Sequence, residues 1–155
     1  MGVESANYAF VPDQPLEAIP RLMVELGAEE RSPFPATNFQ RWALRGEHYW
    51  IDIMLGSLGP SSRPSVSVRV ALCNPLEVGC PMEQLFQLLL RELQGTLLDR
   101  QTKRSYRSLD QASWLQVWDA FCKKKEEFHC NFGVFEAAIS GDDVFACLAA
   151  RNNES

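Results

Sequence analysis

The chain has 155 residues, of which 46% are hydrophobic and 23% charged, with a net charge of −5. That length can bury a core of its own, and the composition is too apolar for a disordered chain. The acidic balance argues against a general nucleic-acid binder, whose footprint would be basic. No apolar run reaches the ~18 residues of a membrane helix.

Residues 1–6 read as a loose lead-in, without the basic start and apolar run of a secretory signal. Ala6 also stands where a myristoylation pattern needs Ser or Thr. Residues 8–11 form a short apolar strand ended by Pro12. Asp13 can cap a helix in which Leu16, Ile19, Leu22, Met23 and Leu26 recur at helical spacing. Pro20 is tolerated if it falls within the first turn, where its missing N–H costs nothing, and Gly27 stops the helix.

Residues 31–38 are a proline-marked connector, and residues 39–45 an alternating strand. The short corner at Gly46 and Glu47 predicts a tight hairpin into a second strand, residues 47–55. Residues 56–64, rich in Gly, Pro and Ser, read as a mobile hairpin tip. Residues 65–72 alternate most clearly: Val66, Val68, Val70 and Leu72 share one face. The two strands over residues 47–72 are the stretch around which the chain is organised.

A connector over residues 73–81 leads to the clearest amphipathic helix, with Pro81 at its first position and Gly95 as its stop. Met82, Leu85, Phe86, Leu89 and Leu93 make its apolar stripe. Residues 95–106 read as strand, turn and strand, with a helix extension as the alternative. Ser108 and Gln111 resemble a capping box for a helix over residues 109–128. Trp114, Leu115, Trp118, Phe121 and Cys122 lie on its apolar side, and Lys123–Glu127 are solvated. Residues 132–139 and 144–150 form a closing hairpin around an acidic turn, and residues 151–155 a loose tail. The expected fold is a single α+β domain over residues 1–155, its core within 7–150. Its sheet is largely antiparallel, with two or three helices mainly on one face.

Catalytic patterns are weak. His48 and Asp52 share a strand face, but four residues of strand span roughly 13 Å, too far for a dyad. Cys122, His129 and Cys130 lack zinc-site spacing. Cys122 reads as core. Residues 56–64 carry neither the Lys-Ser/Thr pair nor the following helix of a phosphate loop. No metal, cofactor or catalytic residue is assigned. Five cysteines, Cys73, Cys80, Cys122, Cys130 and Cys147, form no disulfide framework and place the protein in the reducing cytoplasm.

Two features point towards binding. Trp42 and Trp50 are expected to share the outer sheet face with His48, Asp52 and Met54, away from Ile51 and Ile53. Arg100, Lys103, Arg104 and Arg107 form a basic group that could face an anion, with Lys123, Lys124 and Lys125 as possible additions. The expectation is therefore a non-enzymatic cytoplasmic protein that binds a protein partner through the tryptophan face or through Asp142 and Asp143. Neutralising that partner, as small antitoxin or immunity-type proteins do, is an analogy of size and charge. No nucleic-acid or membrane partner is expected. One alternative is a small-ligand domain or enzyme with a pocket lined by Trp42, His48, Trp50 and Asp52. Another is a homo-oligomeric module, a homodimer for instance, pairing along the terminal hairpin.

Overall fold

The computed structural model describes residues 4–13, 15–33, 39–56 and 64–133. Seven strands build one antiparallel sheet: β1 (Ser5–Pro12), β2 (Glu29–Arg31), β3 (Gln40–Arg45), β4 (Trp50–Gly56), β5 (Ser65–Ala71), β6 (Gly95–Asp99) and β7 (Arg104–Tyr106). Their spatial order is β2-β3-β4-β5-β1-β6-β7. The β4–β5 hairpin sits near the centre, and the valine alternation of β5 gives it one apolar face as expected. The described residues also form three helices: α1 (Ile19–Leu26), α2 (Gly79–Leu93) and α3 (Gln111–Phe132). No helix among the described residues is long and apolar enough to cross a membrane.

The period of two along the strands decides which face is buried. Tyr8 and Phe10 of β1 stand opposite Val68 and Val66 of β5, and these stand opposite Ile53 and Leu55 of β4. All six are under a tenth exposed. The helices lie against this face. Tyr8 packs on Phe86 of α2, ring centres 5.0 Å apart. The Tyr106 hydroxyl pairs with Gln116 of α3 at 3.2 Å. Trp118 of α3 lies against Gly79, at the start of α2. Helix α1 shares a groove with α2. The fold is α+β, with all three helices on one side of an antiparallel sheet.

Several local expectations change. Strand β1 begins at Ser5, so residues 5 and 6 are strand rather than lead-in: Ser5 pairs with Ala71 and Ala6 with Val70. Strand β2 falls just after Gly27, whose φ of +84° ends α1 as predicted; its three exposed residues carry no apolar alternation to announce it. Pro20 sits in the first turn of α1, behind a 3-10 turn at Leu16–Ala18. Gly95 is not the stop of α2. Gln94 turns the chain, with φ +46°, and Gly95 opens β6. A Cβ there would overlap the Val11 carbonyl and the Pro12 backbone. Residues 95–106 do form strand, turn and strand.

Helix α3 starts two residues later and ends four residues later than expected. Its cap is Asp110, whose Oδ1 accepts from the Ser113 N–H at 2.7 Å, and not Ser108. That bond holds the Asp110 carboxyl below the usual range. Its buried residues are Val117, Phe121, Lys125 and Phe128, while Leu115 is exposed. Lys125 therefore overturns the expectation of a solvated lysine run. Its ammonium donates to the carbonyls of Leu72 (3.0 Å) and Asn74 (2.5 Å). The predicted terminal hairpin beyond Gly133 lies outside the described residues.

Candidate functional site

The second face of the sheet carries no described helix, and its chemistry begins with the β3–β4 hairpin. The expected tight corner is a four-residue loop, Gly46 to Tyr49, closed by the Gly46 N–H on the Tyr49 carbonyl at 3.1 Å. It pairs Arg45 with Trp50 and Trp42 with Ile53. Residues directly opposite in a ladder point the same way. The two tryptophans are therefore on opposite faces, and the expected pair does not exist. Trp42 lies with Leu44, Ile51 and Ile53 on the helix side and is core. No pocket shared by Trp42 and Trp50 can form. His48 belongs to the loop rather than to the strand, and its Nε2 lies 3.7 Å from the Glu47 carboxylate. It does not meet Asp52.

Trp50 does take the second face, beside Asp52 and Met54 and opposite Arg45, Ala43 and Arg41. It is only 5% exposed. Two guanidinium groups cover it. The Arg31 Cζ lies 5.0 Å from the ring centre and the Arg45 Cζ 5.8 Å. Cations at this distance over an indole are held by its quadrupole, worth about 0.5–1 kcal/mol where exposed. Arg45 is also paired with Glu29 at 3.0 Å. Arg31 has no carboxylate within ion-pair distance among the described residues.

A polar chain continues from the indole. Trp50 Nε1–H donates to Asp52 Oδ1 at 2.7 Å. Asp52 Oδ2 lies 3.6 Å from the Arg69 guanidinium, which reaches Glu4 at 3.1 Å. Strands β4 and β5 and the residue just before β1 are tied across the sheet by these bonds. Glu4 is buried and Arg69 one-quarter exposed, so the Glu4–Arg69 pair is better shielded from solvent than a surface bridge.

The backbone of Trp50 is pinned by a side chain from another part of the chain. Strand β5 stops pairing with β4 at Val70 and Ile51, so Trp50 has no ladder partner there. Asn74 fills the gap. Its Oδ1 accepts from the Trp50 N–H at 2.7 Å. Its Nδ2 donates to the Trp50 carbonyl at 3.1 Å and to the Ala71 carbonyl at 2.8 Å. The Asn74 carbonyl in turn holds Lys125 of α3. Asn74 is fully buried, and so the site backbone is continuous with the helical layer.

The basic group of the sequence does not converge in this way. Arg100, Lys103 and Arg104 are exposed around the β6–β7 turn, where Lys103 adopts φ +61°. Arg107 is bound to Asp13 at 2.7 Å and to Thr96 at 3.1 Å, and Asp13 holds its pKa up. Lys124 donates to the Ser5 carbonyl at 2.7 Å, and Lys125 is buried. Asp142 and Asp143 lie outside the described residues.

A buried polar pair sits on the helix side. Tyr8 stands opposite Asp99, and both are 0–1% exposed. Asp99 Oδ1 accepts from the Gln101 N–H (2.9 Å) and from its side-chain amide (2.7 Å). Among the described residues, Asp99 Oδ2 and the Tyr8 hydroxyl have no hydrogen-bond partner. Burial raises the pKa of both, and the Asp99 charge raises that of Tyr8 further. Burial likewise pushes up the Cys122 thiol, which packs against the core as expected. Between α1 and α2 runs an open groove of about 630 Å³, lined by Glu25, Leu26, Glu83, Gln87, Leu88 and Arg91 among others. Among the described residues, no three His, Cys, Asp or Glu side chains gather as a metal site would require.

Arg31, Arg45, Arg69, Glu4 and Asn74 carry the site and were not singled out from the sequence. One signal was available. Arg41, Ala43 and Arg45 alternate away from Trp42, and a four-residue loop places them beside Trp50. No family model, curated protein or solved structure matches the chain, so function is argued from this geometry.

Proposed function

We propose that this chain is a protein-binding module that docks a partner through the second face of its sheet, around Trp50. The observation that supports this is the arrangement of layers: three helices cover one face, and the other carries an ordered network of Trp50, Asp52 and arginines. A sheet face held by a buried amide and a buried lysine is a rigid platform, and rigid platforms lose little entropy on binding. The proposed role is non-enzymatic and cytoplasmic; the free thiols of Cys80, Cys122 and Cys130 suit a reducing compartment. Binding would act by occupying the partner.

The test is capture from a lysate followed by hydrogen-exchange mapping of the captured complex. Wild type is compared with Met54→Arg, which places a long charged side chain on a half-exposed position of this face. Leu115→Arg on α3 is the control. A partner lost with Met54→Arg, kept with Leu115→Arg, and protecting β3 to β5 supports the reading. A partner that protects α1 and α2 refutes it.

A further inference from the structure

Resting on that docking face, we infer that the partner segment is acidic, and that it is received by Arg31 and Arg45 stacked over Trp50. Charge carries this. The chain as a whole is at −5. Yet among the described residues of the second face Arg31 has no carboxylate within ion-pair distance, the three carboxylates there being Glu4, Glu29 and Asp52. The carboxylates are committed: Glu4 and Asp52 to Arg69, and Glu29 to Arg45. Arg31 is exposed and has the indole as its partner.

An arginine lying on an aromatic ring keeps its planar fork ordered while its N–H edge stays available. Such a fork matches a carboxylate in two parallel hydrogen bonds. Ordering before binding removes part of the side-chain entropy that a free arginine would lose. Arg31 pairs with Arg41 in the β2–β3 ladder, so Arg45 lies four residues along β3 from that pair, roughly 13 Å, and carboxylates spaced along one extended segment could meet both arginines. A nucleic acid is the less fitting polyanion. Its affinity relies on a wide basic surface, which a chain at −5 does not present. Its bases need an open aromatic platform, and Trp50 is 5% exposed beneath its arginines.

The probe is a fluorescein-labelled oligo-glutamate peptide titrated with the full chain and followed by anisotropy. An oligo-lysine peptide and a single-stranded oligonucleotide are run beside it. Wild type is expected to bind oligo-glutamate, to release it at high salt and to ignore oligo-lysine. Arg31→Glu should weaken binding at least ~10-fold, and Arg45→Gln, a milder change, should weaken it less. Thermal melts of both variants check folding, and Arg31→Gln serves if Arg31→Glu melts early. No oligo-glutamate binding by wild type overturns the inference, as does equal binding by the folded variants or tighter binding of the oligonucleotide. If oligo-glutamate fails while a captured partner still protects β3 to β5, the docking face stands and its acidic preference falls. If the captured partner maps elsewhere, the docking face falls first.

Discussion

Replacing Asn74 by Ala removes one small side chain and three buried hydrogen bonds. Two go to the N–H and C=O of Trp50 and one to the Ala71 carbonyl. Each buried bond contributes about 0.5–1.5 kcal/mol net, and a donor left unpaired away from water costs about 1–3 kcal/mol. The Trp50 N–H is such a donor, because β5 has turned away at that point. The expected loss is about 3–5 kcal/mol, a large part of the ~5–15 kcal/mol that holds a domain together. In a chain of this length it should lower Tm by roughly 10 °C. Urea denaturation read by tryptophan fluorescence gives the free energy, and a thermal melt gives the shift. Asn74→Asp keeps the acceptor for the Trp50 N–H and loses both donated bonds, so the two variants separate the contributions. A loss under ~1 kcal/mol for Asn74→Ala would refute the idea that this amide replaces a missing stretch of ladder.

Lys125→Glu sets a carboxylate against the Leu72 and Asn74 carbonyls that the ammonium now holds. It should cost more than about 3 kcal/mol by denaturant titration, and well more than Lys125→Met; similar losses for both would refute this. Asp99 has its pKa raised by burial, so the native state holds its proton more tightly than the unfolded chain does. Stability from this group is therefore complete in acid and falls as the pH rises from the ordinary carboxylate range through the raised value. Asp99→Asn, neutral throughout, should match wild type in acid and exceed it at neutral pH in paired denaturation curves. An advantage that appears only in acid would contradict the sign. Gly95→Ala drives a methyl into the β1 backbone at Val11 and Pro12 and should cost about 1–3 kcal/mol. An unchanged melting curve would show that β1 and β6 can part at no cost.

The elements were legible wherever a period was strong. Val66, Val68 and Val70 announce β5, and the stripe from Met82 to Leu93 announces α2. Strand β2 was not legible, because Glu29, Glu30 and Arg31 are all exposed and carry no apolar alternation. Gly95 was legible as a break in α2, but not as the place where two backbones meet. Lys125 shows the limit of local composition. In a run of five charged residues it is the one that meets two buried carbonyls, and only the packing of α3 over the end of β5 selects it.

The candidate site divides in the same way. Residue chemistry alone marked Trp50 and Asp52 as an aromatic and an acid on the outer face of one strand, and they do share a hydrogen bond. Which residues join them depended on register. One residue more or less in the β3–β4 loop would turn every β3 side chain to the other face, putting Trp42 beside Trp50 and taking Arg45 away. Composition and periodicity thus determined by themselves an α+β domain with an antiparallel sheet, because burying an apolar face is a local pattern repeated along each strand. Tertiary structure alone decided that Trp50 is roofed by Arg31 and Arg45 and pinned by Asn74. Those contacts join residues 5 to 24 positions apart, and their geometry is set by loop length and strand order, which no local periodicity records.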